Sequence, residues 1–116
     1  MTDIFVFGSN RQGRHGMGAA LCALDHHGAI YGQPTGRQGD SYAIVTKELR
    51  SSFQQVSLSE VEEDIAEFIQ YALNHPSDTF NLTRIGCGLA GFAEEEIAPL
   101  FTKAPINVLQ HWLFHP

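Results

Sequence analysis

The sequence is short of cysteine and of long hydrophobic runs, and each shortage excludes a class of protein. The chain has only two cysteines, Cys22 and Cys87, which show neither a zinc-type spacing nor a disulfide framework. No apolar run approaches the roughly 20 residues that a membrane-spanning helix needs. The opening Met-Thr-Asp-Ile lacks the basic start and apolar segment of a signal peptide. We therefore expect a single cytoplasmic domain of 116 residues that does not enter a membrane.

Basic residues are also scarce, and their positions indicate the kind of ligand. Seven Lys and Arg against 13 Asp and Glu give a formal net charge of −6, which argues against binding along an extended nucleic-acid duplex. The acidic residues cluster in 60–67 and 94–96, whereas Arg11, Arg14 and Arg37 all lie in glycine-rich loops. This distribution is consistent with a small anionic ligand.

The stretch from Phe5 to Ala20 changes character twice, from apolar to glycine-rich and then to helical. Its first residues have the composition of a buried strand, and Met17, Ala20 and Leu24 have the spacing of an amphipathic helix. Between them lies a loop with four glycines. A strand followed by a glycine loop and a helix lets the backbone approach a phosphate, because glycines remove Cβ atoms and the helix start presents free N–H groups. The alternative is a turn that binds nothing.

The remaining elements alternate between strand and helix patterns, which predicts an α/β fold with a mostly parallel sheet covered on both faces. A capping box from Ser59 to Glu62 starts the best helix, which His75-Pro76 ends. Its acidic face is interpreted as solvated surface, and its apolar face comprises Val61, Ile65, Phe68, Ile69 and Ala72. The segment Gln33–Asp40 is predicted to be a loop because of its Pro and Gly content. The other predicted strands are Asp3–Phe7, Ser41–Thr46, Phe80–Ile85 and Ile106–Leu109, and the other helices are Met17–His26 and Glu94–Phe101.

The Asn10 loop, Lys47 and a second glycine loop, Gly86–Phe92, each directly follow a predicted strand and should therefore meet at one edge of the sheet. Lys47 is either a surface cap or, with its pKa lowered by partial burial, a nucleophile towards a sugar carbon. Cys87 is either a nucleophile or a small residue fitted between glycines. His15 either contacts the ligand or merely belongs to the loop. The spacing of His111 and His115 would suit a metal, but no third ligand accompanies them, so we expect neither metal nor cofactor.

Three blocks of the sequence together resemble macro domains. They are Asn10-x-x-Gly13-x-His15-Gly16-x-Gly18-x-Ala20, then Tyr42-Ala43-Ile44-Val45-Thr46-Lys47, then Arg84-Ile85-Gly86-Cys87-Gly88-Leu89. The resemblance is to the lysine-dependent ADP-ribosyl glycohydrolase branch of that family. It implies a three-layer αβα sandwich with a mostly parallel or mixed central sheet, and a partner that is ADP-ribose or an ADP-ribosylated target.

The same resemblance implies roles for individual residues. Lys47 would be the catalytic nucleophile, and Asn10 would lie near the distal ribose. Ala90 stands where the protein-directed enzymes of the branch have an aspartate, and the DNA-directed ones a small residue. The chain could therefore hydrolyse ADP-ribose from a target or merely bind it as a reader or sponge; a third alternative is an interaction protein without a ligand. The ligand-binding residues implied are Gly8, Ser9, Asn10, Arg11, Gly13, His15, Gly16, Met17, Gly18, Gly86, Cys87, Gly88, Leu89, Ala90, Gly91 and Phe92.

Overall fold

The computed structural model describes residues 2–48, 56–83 and 94–109, which form a five-stranded sheet with helices on both faces. Two sets of residues from the sequence analysis lie outside this description. They are 84–93, which hold the second glycine loop, and His111 and His115. The strands are β1 (Asp3–Asn10), β2 (Gly36–Gln38), β3 (Ser41–Lys47), β4 (Thr79–Leu82) and β5 (Val108–Leu109). The helices are α1 (Gly18–His26), α2 (Leu58–Leu73) and α3 (Glu94–Ile97), the last continued by a 3-10 turn, Ala98–Phe101.

The strand order β2-β3-β1-β4-β5 makes a mixed sheet, because β2 is antiparallel to β3 while the other pairs are parallel. Parallel neighbours need crossover connections, and helices supply them. The arrangement agrees with the αβα sandwich and the mostly parallel or mixed sheet expected from the sequence. Among the described residues, no helix is both long and apolar enough to cross a membrane.

Alternate residues of the strands face two separate hydrophobic cores. Ile4 and Val6 of β1 belong to the larger core, which α2 and the 3-10 turn complete with Phe68 and Phe101. Phe7 faces the smaller core, where α1 contributes two buried alanines. Small residues let α1 lie close to the sheet, and this sets the position of the glycine loop that precedes α1.

The sequence correctly predicts a capping box at the N-terminus of α2 but places it two residues too late in the chain. The capping residue is Ser57, whose hydroxyl accepts a hydrogen bond from the Glu60 backbone N–H and donates one to the Glu60 carboxylate. Both Ser57 and Ser59 are followed three residues later by a glutamate, so the pattern fits either start. The buried face of the helix is the predicted one.

Other boundaries also need correction. β1 continues through Gly8, Ser9 and Asn10 because these residues pair with β3, so the glycine loop starts later than predicted. The predicted loop Gln33–Asp40 contains β2, which pairs with the start of β3. β4 begins at Thr79 and ends at Leu82, and β5 has two residues rather than four.

Candidate functional site

The ends of β1 and β3 lie side by side at the carboxyl edge of the sheet. Asn10 is paired with Lys47 after an irregularity between Ser9 and Asn10, and the N–H of Arg11 donates to the Lys47 carbonyl at 2.9 Å. The sequence predicts that these residues meet at one edge, and the strand register agrees. Lys47 is half-buried there.

Asn10 organises the turn that leaves β1. Its side-chain oxygen accepts from the Arg14 N–H at 2.9 Å, and its side-chain nitrogen donates to the Arg14 carbonyl at 2.8 Å. The Asn10 carbonyl also accepts from the Gly13 N–H at 2.9 Å. An asparagine amide has two N–H donors, and within the described part of the chain one bond is formed by this nitrogen. The role near a ribose stays a prediction.

Gly13 is needed for contact with the protein's own chain. Its φ is +66°, and a Cβ there would lie 2.5 Å from the backbone carbon of Gly32 and 2.7 Å from the nitrogen of Gln33. The Gly32 N–H donates to the Gly13 carbonyl at 2.8 Å. This glycine therefore joins the glycine loop to the segment before β2.

Gly16 and Gly18, by contrast, face open space. Among the described residues other than its chain neighbours, a Cβ at either position would meet no atom within 4 Å, and Gly16 is not in the left-handed region. Met17 is the N-cap of α1 and makes no side-chain capping bond, and the first turn carries no acidic residue. The start of α1 is thus open on the side where its backbone N–H groups would favour an anion.

The two arginines of the loop differ in how they are paired. Arg11 forms ion pairs with Glu60 and, at 3.8 Å, with Glu48. Arg14 is exposed, and among the described residues no carboxylate lies within 4.0 Å of its guanidinium. Arg14 is therefore the arginine available to an anion beside Gly16, whereas Arg11 is already neutralised.

His15 and Ser9 are buried and tie the loop to the β2 region. His15 is 0% exposed, packs edge-on against Phe7 at 5.2 Å between ring centroids, and contacts Gln38 through Nε2 at 3.1 Å. The Ser9 hydroxyl donates to the Pro34 carbonyl. These contacts make His15 part of the loop framework, and its contact with a ligand stays a prediction.

A cavity of about 420 Å³ lies on the α2 side of the same edge of the sheet. Burial raises the pKa of the Asp64 carboxyl above its usual range, although hydrogen bonds from the Val45 N–H at 2.7 Å and the Thr35 hydroxyl at 3.1 Å oppose this shift. Four carboxylates and one guanidinium make the lining acidic. It comprises Arg11, Thr35, Val45, Val56, Glu60, Glu63, Asp64 and Glu67.

The sequence-based interpretation of the acidic face of α2 as solvated surface misses Asp64. Asp64 lies three residues after Val61 and four before Phe68, and both of these are buried. Helical spacing alone therefore places Asp64 on the face that packs against the sheet.

Three solved structures share this fold. One is a protein of unknown function from Bacteroides thetaiotaomicron, with 18% identity, a TM-score of 0.65, and 90% of this chain and 81% of that chain covered. A second protein from the same organism has 17% identity, a TM-score of 0.62, and coverage of 90% and 82%. The third is a macrodomain protein from Streptomyces coelicolor, with 14% identity, a TM-score of 0.57, and coverage of 89% and 80%.

The fold is macro-like. No protein-family model matches the chain, and no curated protein matches it. At these identities the likeness concerns the path of the chain and not the residues of a site. The predicted ligand-binding residues Gly86, Cys87, Gly88, Leu89, Ala90, Gly91 and Phe92 fall in 84–93, outside the described residues.

Proposed function

We propose that this macro-like domain binds ADP-ribose and removes it from a modified target, with Lys47 as the nucleophile. The observation that carries the proposal is the open start of α1 beside the paired ends of β1 and β3. Gly16 and Gly18 leave space there among the described residues, and the N-cap residue Met17 makes no side-chain capping bond. Asn10 and Lys47 occupy the adjoining strand ends.

The diphosphate would lie over Gly16–Gly18. Backbone N–H groups at a helix start attract phosphate through their partial charge, and the absence of Cβ atoms allows a close approach. Arg14 adds a positive charge from the same loop, while Arg11 is held by its own carboxylates. Among the described residues, this is the best match between an open backbone surface and an anionic ligand.

The chemistry would take place at the anomeric carbon of the distal ribose. The unprotonated Lys47 amine attacks this carbon, and the bond to the target group breaks. The target leaves with the electron pair and takes up a proton. Water then attacks the lysine–sugar adduct, which releases ADP-ribose and restores the amine.

The first experiment is a calorimetric titration with ADP-ribose, with AMP and NAD as comparison ligands. We expect binding to the native chain, and loss of binding in Gly16→Glu, which places a negative side chain where the diphosphate would lie. Ile106→Glu is the matched control, because Ile106 is 98% exposed and precedes β5 at the opposite end of the strands. Equal binding by both variants would contradict the proposed location.

A turnover assay on ADP-ribosylated protein and DNA then tests the nucleophile. Lys47→Ala should abolish release of ADP-ribose while its binding persists, because the amine acts on the bond and not mainly on affinity. Trapping with borohydride should capture a lysine–sugar adduct in the native chain.

Binding without turnover is the second candidate function, and the observation behind it is Ala90, in place of the aspartate of the protein-directed enzymes. Tight ADP-ribose binding with no trapped adduct would favour it.

A further inference from the structure

One buried atom of the glycine loop has no hydrogen-bond partner. Nδ1 of His15 is the single fully buried side-chain nitrogen or oxygen without a partner among the described residues. Nearly all such atoms in native proteins are paired, because a buried polar atom without a partner costs stability. We therefore expect its hydrogen-bond partner to be a group other than the described residues.

The protonation of the neutral ring follows from the bonds around Gln38. The Gln38 side-chain oxygen accepts from the Ile30 N–H at 2.8 Å, and its nitrogen donates to the carbonyls of Gln33 at 3.1 Å and Gly36 at 3.3 Å. These bonds orient the amide with its oxygen towards His15. In the neutral ring Nε2 must then carry the proton, and Nδ1 is left as an acceptor.

The residue that carries this acceptor is next in the chain to the open backbone surface. His15 directly precedes Gly16, where an added Cβ would meet no atom of the described, non-neighbouring residues within 4 Å. One neighbour of the ring is Tyr31, with 6.5 Å between ring centroids, and Tyr31 is 59% exposed. Another aromatic neighbour is Phe7, which is fully buried. Of these two aromatic neighbours, Tyr31 is the one that can turn aside without disturbing the core.

The partner of Nδ1 must be a hydrogen-bond donor. Phosphate oxygens that carry charge only accept, so the diphosphate cannot fill this role. In a nucleotide sugar the donors closest to the phosphates are the sugar hydroxyls, whereas the amino group of the base lies at the far end. A sugar hydroxyl therefore fits both the chemistry and the position.

We propose that Nδ1 of His15 accepts a hydrogen bond from a sugar hydroxyl of the ligand whose phosphate lies over Gly16–Gly18, after Tyr31 turns aside. This inference rests on the proposed function and deepens it. It makes His15 a residue that distinguishes a sugar phosphate from a simple phosphate.

Two substitutions distinguish the role of Nδ1 from that of Nε2. His15→Gln keeps a donor near the Nε2 position and removes the Nδ1 acceptor. His15→Asn keeps an acceptor near the Nδ1 position and loses the contact with Gln38. We expect His15→Gln to weaken ADP-ribose binding about tenfold while inorganic pyrophosphate binds as in the native chain. His15→Asn should weaken ADP-ribose binding less.

Nitrogen NMR of the His15 ring in the native chain gives a second measurement that does not depend on variants. Without ligand, Nδ1 should give the signal of an unprotonated nitrogen without a hydrogen bond. ADP-ribose and ribose 5-phosphate should shift this signal, and pyrophosphate should not.

A free chain in which Nδ1 is already protonated or hydrogen-bonded would overturn the inference. Equal loss of ADP-ribose and pyrophosphate binding in His15→Gln would also overturn it, since that would indicate a purely structural role. If the native chain binds ADP-ribose and the Nδ1 signal stays unmoved, this inference fails and the proposed function stands. If ADP-ribose does not bind at all, both fail.

Discussion

Three glycines of one loop should respond differently to the same substitution, because each is required for a different reason. At Gly16 an added Cβ contacts none of the non-neighbouring residues that the structure describes, and the backbone is outside the left-handed region. At Gly18 the space is open but φ is +58°. At Gly13 φ is +66° and a Cβ would lie 2.5 Å from the backbone of Gly32. The loop therefore offers a graded series with built-in controls.

The expected changes in the free energy of unfolding follow from these geometries. Gly16→Ala should raise it by about 0.4–1 kcal/mol, because alanine reduces the entropy of the unfolded chain without strain. Gly18→Ala should lower it by about 1–2 kcal/mol through left-handed strain. Gly13→Ala should lower it by about 2–5 kcal/mol, because backbone atoms must also be displaced.

Urea unfolding measures the series, and an unchanged slope with denaturant shows that midpoints report stability. Equal midpoints for Gly13→Ala and Gly16→Ala would refute the geometry of the loop. Under the proposed function, Gly16→Val should also weaken ADP-ribose binding in a chain that stays folded. Stability and binding would then be separated at a single position.

The remaining predictions concern the Asp64 carboxyl group, a helix cap and an arginine pair. Asp64→Ala should cost about 1–3 kcal/mol because the Val45 N–H loses its acceptor, whereas Asp64→Asn retains one. The folded chain holds the Asp64 proton more tightly than the unfolded chain does, because the pKa of Asp64 is raised. The free energy of unfolding of the native chain, relative to that of Asp64→Asn, should therefore fall as the pH rises from the ordinary pKa of 3.8 to the raised value, and then stay constant. Unfolding at several pH values checks this. Ser57→Ala should cost about 1 kcal/mol in thermal unfolding and Ser59→Ala less than half of that, and the reverse order would contradict the cap that forms with Glu60. Arg14→Gln should weaken ADP-ribose binding about fivefold in calorimetry, and an equal effect of Arg11→Gln would argue against the pairing that distinguishes these arginines.

The sequence predicts the parts of the fold that local patterns determine. The hydrophobic spacing of α2 and the apolar run of β3 are sufficient to identify those elements, and proline explains where α2 ends. The meeting of the Asn10 loop and Lys47 at one edge of the sheet is also predicted, because both follow predicted strands of a mostly parallel sheet; their pairing as strand residues is not predicted.

The sequence does not predict what distant pairing decides. β1 extends through Gly8 because β3 supplies its partners, and β2 exists because the start of β3 offers an edge, despite the glycines and proline nearby. The neutralisation of Arg11 depends on Glu60 in another element. No local pattern distinguishes Arg11 from Arg14 before the chain is folded.

The bond from the Asp64 carboxylate to the Val45 N–H also bears on how molecules of this protein meet one another. β2 pairs with β3 only as far as Ala43, so the Val45 N–H lies beyond the end of β2, at an edge of the sheet. A free donor there could begin the addition of a strand from a neighbouring molecule, the usual route to aggregation between sheet edges. The carboxylate occupies that donor and brings negative charge to the same place. Loss of Asp64 would expose the Val45 N–H and remove this negative charge. In a crowded solution it would therefore favour aggregation in addition to lowering the stability of the single folded chain.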